Sequence, residues 1–327
     1  MNIRLPSTLT LLAILSGCVV SDSEPQVERV RATRNDFTFF AIGDPQINLV
    51  KWGTAGTEQI IDKMNALPGQ LSPFGGTIAK PRGVLIAGDL VDDIRNPDNW
   101  DTYQKLFDVR GAGRLRFPVF EGVGNHDLDS RQPEGTFNPV QRDFIERNAQ
   151  RDGAFCFDRH GYHYSWDWDQ VHFVCLNIFP GNSPRPVYGR EARWNDPKRS
   201  LDFLRSDLRD RVGASGRPVC LMWHYGLRGW GLDKWWTKRD LVVLRELLEP
   251  YNVVLILHGH EHRFERYSWQ GIDVVMAPAP QFAIDRKVGE MVAPPKGFVV
   301  VRFIDDKLQL AHHDANGWQE TWEKTIR

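Results

Sequence analysis

Five short polar clusters, most of them placed directly after an apolar run, constrain this chain more than any other feature. They are Gly43-Asp44-Pro45-Gln46, Gly88-Asp89-Leu90-Val91-Asp92, Gly124-Asn125-His126-Asp127, the isolated His224, and Gly259-His260-Glu261-His262. The runs ahead of them are Phe37 to Ile42, Val84 to Ala87, Pro118 to Val123, Val219 to Trp223 and Val253 to Leu257. Each is short and continuously apolar, which predicts a strand buried on both faces. In open α/β sheets, ligands gather beyond the carboxyl ends of such strands. Five strand ends therefore aim polar groups at one rim, bringing together Asp44, Asp89, Asn125, His224, His260 and His262. Carboxylates, an amide oxygen and imidazoles in one place suit two divalent cations, and paired cations suit the hydrolysis of phosphate esters.

The rest of the chain fits around those strands. Leu201, Leu204, Leu208 and Val212 recur at helical spacing after Asp196-Pro197, which reads as an N-cap followed by proline at the first helical position. Leu241, Leu244, Leu247 and Leu248 predict a second helix before Pro250. Tyr162 to Trp168 and Val171 to Asn177 predict an antiparallel hairpin around Asp169-Gln170. Gly271 to Met276, Gly297 to Ile304 and Lys307 to His312 predict further strands, with Asp305-Asp306 as a turn. Residues 130–155 and 180–196 read as long loops. The expected architecture is α/β, with two packed sheets and helices outside.

A chain of 327 residues permits one large α/β domain, and no linker divides residues 36–327. No fixed-period repeat is present. A formal net charge of -1 argues against sequence-specific nucleic-acid binding through a strong positive field. The chain has neither a Gly-x-Ser-x-Gly elbow nor a P-loop lysine motif, which argues against serine hydrolases and nucleotide-triphosphate switches.

The N-terminus reads as a processing segment. Arg4 gives a basic start, and Leu9 to Leu15 an apolar stretch too short to span a bilayer. Leu15-Ser16-Gly17-Cys18 resembles the lipobox of bacterial lipoproteins. That resemblance implies a signal peptide over residues 1–17, lipid on Cys18 and a polar tether over residues 18–35. Val19 after Cys18 points to the outer membrane of a bacterial envelope. Of the other cysteines, Cys156, Cys175 and Cys220, an odd number cannot pair completely, and Cys175 and Cys220 lie in apolar runs. They read as buried, unpaired core residues.

The ordered clusters resemble the calcineurin-like metallophosphoesterases, whose pattern is Asp-x-His, Gly-Asp-x-x-Asp, Gly-Asn-His-Asp/Glu, a lone His and Gly-His-x-His. Four of the five match, and the first carries Gln46 where the family has His. The resemblance implies an αββα sandwich of two mixed sheets. It implies that Asp44, Asp89 and His262 hold one metal, and that Asp89, Asn125, His224 and His260 hold another, with Asp89 bridging. Mixed imidazole and oxygen ligation suits Mn, Fe or Zn. Gln46 either ligates the first metal weakly or faces the substrate.

By the same resemblance, His126 contacts the phosphoryl group and protonates the leaving oxygen, a task suited to an imidazole. Asp127 would orient that ring and Asp92 support it. The implied reaction is attack on phosphorus by hydroxide activated between two metals, on a small phosphoester or a phosphoprotein. Arg228 is a candidate phosphate contact. Trp223, Trp230, Trp235, Trp236 and Tyr225 read as packing under a loop or as a cleft wall, with Lys51 and Trp52 opposite. An alternative is a metal-binding envelope protein without turnover, its first site weakened by Gln46.

Overall fold

The computed structural model describes residues 34–48, 53–128, 139–153, 155–158, 162–184, 195–229, 232–281, 283–285, 290–292 and 297–326. The proposed signal, Cys18 and most of the tether lie outside these residues, as do Lys51, Trp52 and Trp230. Among the described residues, no helix is long and apolar enough to cross a membrane.

The chain forms two mixed sheets. Strand β1 (Asp36–Ile42) is followed by helix α1 (Ala55–Ala66), β2 (Val84–Ile86), α2 (Pro97–Leu106), β3 (Val119–Glu121) and α3 (Pro139–Ala149). Strands β4 (Phe155–Phe157), β5 (Tyr164–Trp168) and β6 (Val171–Cys175) come next. Then follow α4 (Ser200–Asp207), β7 (Val219–Met222), α5 (Leu232–Trp235), α6 (Lys238–Leu248) and β8 (Val253–His258). The last part holds β9 (Glu265–Trp269), β10 (Ile272–Met276), β11 (Ala283–Asp285) and β12 (Glu290–Val292). It ends with β13 (Phe298–Ile304), β14 (Lys307–Asp314) and β15 (Gly317–Thr325). One sheet has the order β15-β14-β13-β1-β2-β3, the other β4-β5-β6-β7-β8-β10-β9, and β11 pairs with β12. The strands that lead into the five clusters pair in parallel, β1 with β2 and β2 with β3 in one sheet, β7 with β8 in the other.

Alternation along each strand explains how the sheets stack. In β1, Phe37, Phe39 and Ala41 face the other sheet, while Phe40 and Ile42 join Ile60, Ile61 and Met64 of α1. The inter-sheet layer is rich in rings: Phe39 meets Phe173 edge-on at 5.6 Å, and Phe120 stacks on Trp166 at 4.6 Å. Such pairs add about 0.5–1.5 kcal/mol each beyond the burial of their area.

The structure departs from the sequence expectations in four places. The segment 130–155 is not all loop, since it contains α3. Asp196-Pro197 does not start a helix: Lys198 and Arg199 both take left-handed backbone, at φ 54° and 62°, so α4 begins at Ser200. The Asp196 carboxylate instead accepts the Lys198 N–H at 2.9 Å. The third departure is β15, which covers the far edge of the first sheet although its sequence reads as polar. The fourth concerns the cysteines. Cys175 and Cys220 are buried and free, as expected, but Cys156 is disulfide-bonded.

Candidate metal centre

The ends of β1, β2, β3, β7 and β8 converge, and backbone hydrogen bonds lock their loops together. Asp44 N–H donates to Gly88 O at 3.1 Å, Gln46 N–H to Asp89 O at 2.9 Å, and Gly259 N–H to His224 O at 3.1 Å. Close approach is possible because the cluster glycines have no side chain. A Cβ at Gly259 would lie 2.6 Å from Asp44 Oδ2.

Several of the converging residues are held in left-handed backbone: Asp44 at φ 49°, Gln46 at 35°, Asp89 at 51°, His260 at 76° and His262 at 59°. Non-glycine residues rarely adopt this conformation, and it persists where the surroundings impose it, often at functional sites. Ile178 shares it at φ 46°. Its carbonyl accepts the N–H groups of both His224 and Tyr225, at 3.1 and 2.9 Å, and so fixes the turn that carries His224.

The side chains form two groups with one common member. Ligand atoms of Asp89, His224 and His260 lie within 4.8 Å of one another, as do those of Asp44, Asp89 and His262. All but His260 are buried, with Asp44 fully so and Asp89 1% exposed. His224 Nδ1 lies 2.8 Å from the carbonyl of Ala87, so that nitrogen is the N–H donor. Its Nε2 then carries the lone pair. That atom faces Asn125 Oδ1 at 3.2 Å, His260 Nδ1 at 3.2 Å and Asp89 Oδ2 at 3.3 Å. Acceptors gathered at this spacing are reconciled by a proton or by a metal cation. On the other side, His262 Nε2 is 3.4 Å from Asp44 Oδ1. Buried imidazoles, two carboxylates and an amide oxygen fit a two-metal centre.

The electrostatics follow from this crowding. Burial works against the charge of Asp89, yet His224, His126 and His260 hold its carboxyl below the ordinary carboxylate range. Burial also opposes the charge of His224, but Asp89 outweighs it and the imidazole is pushed up to about 9. His260 goes the other way, driven well below the usual histidine value by burial and by His224.

His126 sits beside the two groups, its side chain 33% exposed. Its backbone N–H donates to Asp89 Oδ1 at 2.8 Å, and its Nδ1–H to the carbonyl of Asp92 at 2.7 Å. Burial disfavours its charge, but Asp89 and the Asp92 carbonyl raise its pKa above the ordinary value. Asp92 thus orients the ring through its backbone carbonyl, with its carboxylate 3.5 Å away.

Asp127 adds to the rise in the His126 pKa and also joins two clusters. Its carboxylate accepts the N–H groups of Gly124, Leu90 and Val91 at 2.8, 3.0 and 3.2 Å, which ties the third cluster to the second. Burial and the nearby Asp89 push its carboxyl up to about 7. Arg228 is bonded to Glu265, with its guanidinium 4.1 Å above the Tyr267 ring. Trp223, Tyr225, Trp235 and Trp236 are buried, and Trp235 and Tyr225 pack edge-on against His260 at 4.9 and 4.7 Å. Tyr225 and Trp235 thus wall one side of His260.

Of two further participants, His258 directly precedes the fifth cluster but falls outside the expected ligand set, and Gln281 was not picked out from the sequence. His258 is fully buried, receives the Tyr267 hydroxyl at Nε2 (3.0 Å) and is driven down to about 3 by burial. Gln281, 1% exposed, donates to the carbonyls of Pro45 and Gln46. The Pro-Ala-Pro run that leads to Gln281 from the end of β10, at the same rim, was the available signal.

Comparison with known proteins agrees with this geometry. The fold is similar to that of a dimetal phosphatase from Danio rerio, with a TM-score of 0.55 and 14% identity over 90% of this chain and 100% of that one. It is also similar to GAP50, the anchor in the inner membrane complex of Plasmodium, with a TM-score of 0.57 and 12% identity over 90% of each chain. At these identities the likeness is one of fold. No curated protein matches the chain. The family model for calcineurin-like phosphoesterases matches residues 37–264, a span that takes in all five clusters, and the chain belongs to that family.

Proposed function

We propose that the protein hydrolyses phosphate mono- or diesters with two divalent cations held across Asp89. The observation that carries this reading is the membership of Asp89 in both ligand groups. Asp44, Asp89 and His262 would hold one ion, and Asp89, Asn125, His224 and His260 the other. Such a pair supplies Lewis acidity toward phosphoryl oxygens and acidifies water near neutral pH.

The chain's own residues do the rest. His126 gives its Nδ1–H to the Asp92 carbonyl, so Nε2 is the nitrogen left to pass a proton to the leaving oxygen. Its partial exposure lets a substrate reach it. Asp127 holds the Asn125-His126 turn against the end of β2. Neither free cysteine suits a nucleophile's role, since burial pushes the Cys175 thiol up to about 12 and raises that of Cys220 as well.

The substrate is a small phosphoester or a phosphoprotein. Mn, Fe and Zn all match the donors, and an amide oxygen from Gln46 would shift the first site toward Mn or Mg. Hydrolysis of p-nitrophenyl phosphate and bis-p-nitrophenyl phosphate with added Mn, stopped by chelator, tests the reading. Metal-loaded protein that turns over neither these nor a panel of natural phosphoesters overturns it.

The lipobox-like segment supports attachment of the protein to a bacterial envelope membrane through lipid on the Cys18 sulfur, which would then be closed to disulfide formation with Cys156. Mass spectrometry of the N-terminal peptide should find the lipid on Cys18, and Cys18→Ser should release the protein from membranes. A disulfide-linked peptide pair of Cys18 and Cys156, or unchanged fractionation, would overturn the anchor.

A further inference from the structure

We propose that Gln281 is a positioning residue of the metal centre, setting the turn that delivers Gln46 toward the ions. The inference rests on the two-cation reading. Gln281 ends the segment Ala277-Pro278-Ala279-Pro280 after β10, and two prolines restrict the path of that segment. The start of the segment is fixed to both sheets: Gly43 N–H donates to Pro278 O at 3.1 Å, and Ala277 N–H to His258 O at 2.8 Å.

From this rigid base, Gln281 Nε2 donates to two successive carbonyls, Pro45 O at 2.6 Å and Gln46 O at 3.2 Å. The turn so held is one that a free chain avoids, with Gln46 at φ 35° between Asp44 at 49° and Asn48 at 62°. Two sets of contacts impose it. One is the Gln281 clamp, and the other is Gln46 N–H to Asp89 O at 2.9 Å.

The outcome is a Gln46 side chain only 1% exposed whose Oε1 has no hydrogen-bond partner among the described residues. A buried acceptor left in that state is what a cation or a donor satisfies. Gln46 follows Asp44 by two residues and bonds to the backbone of Asp89, both of them members of the first ligand group. The Gln281 Oε1 is likewise buried, and among the described residues the side chain's hydrogen bonds are the two it donates. Gln281 therefore acts on the ions through Gln46.

Gln281→Met keeps the length and burial of the side chain and removes the donor. In metal-free protein, amide hydrogen exchange at Gln46 should quicken by about tenfold or more. The affinity for one of two Mn ions should fall by about tenfold while the other stays, as when a partner of a metal ligand is removed. Turnover should fall through kcat with KM little changed, and Gln281→Glu should be worse, because a carboxylate faces two carbonyls. If Gln281→Met does not fold, Gln281→Asn, one methylene short, serves for the same measurements. Unchanged exchange at Gln46 overturns the proposal. Wild-type protein that binds no pair of Mn ions overturns the two-cation reading instead, and the exchange measurement still decides whether Gln281 holds the turn.

Discussion

Gly124 lacks a side chain at the point where the Asp89 carboxylate sits: a Cβ there would lie 2.2 Å from Asp89 Oδ1 and 2.3 Å from the Asp89 backbone nitrogen. The third cluster can approach the second only because of this. Gly124→Ala should therefore displace the bridging carboxylate, costing about 1–3 kcal/mol as overpacking does. Thermal melting with and without Mn checks this. Expected are a lower melting temperature and loss of the rise that Mn gives to wild type.

His126 is placed to donate a proton, so its value should depend on the leaving group. His126→Ala should lower kcat by about 10²–10⁴-fold for alkyl phosphoesters. The loss should be small for p-nitrophenyl esters, whose leaving group departs without protonation. Metal content should stay at the wild-type level, because His126 directs its Nδ1 to a backbone carbonyl. An equal loss on both substrate classes would contradict the assignment.

His172 offers a pH test away from the site. It is buried, with Nδ1 2.7 Å from Asp167 and Nε2 2.7 Å from Asp207, while Arg217 also pairs with Asp167. Burial opposes its charge, but the two carboxylates prevail and raise its pKa above the ordinary value. A raised folded value means that the proton stabilises the folded state. That contribution is complete below the unfolded value, about 6.5, and is lost as pH climbs through the higher folded value. The melting-temperature gap between wild type and His172→Gln should be widest at acidic pH and narrow as pH rises. A gap that widens with pH would contradict the ion pairing.

The rim was legible in the chain because each cluster ends an apolar run, and burial on both faces leaves no other use for such a run than a strand. What was not legible depends on contacts between distant segments. Beside its expected service to His126, Asp127 joins two clusters, and the N–H groups of Leu90 and Val91 become its partners only once β2 and β3 lie side by side. The Glu265 partner of Arg228, on β9 and 37 residues further along the chain, was likewise invisible in the sequence. The start of α4 was misplaced because consecutive left-handed residues at Lys198 and Arg199 override an ordinary Asp-Pro cap. Gln281 has only the Pro-Ala-Pro run ahead of it as a signal, and its role exists only where the segment after β10 meets the turn after β1.

Equilibrium dialysis against Mn, with metal analysis of wild type and Asp89→Asn, tests most directly whether one carboxylate joins two cations. Two ions per wild-type chain are predicted, with Asp89→Asn losing affinity at both sites while its circular dichroism stays native. An Asp89→Asn protein that keeps both ions, or loses one with the other untouched, would contradict the shared carboxylate.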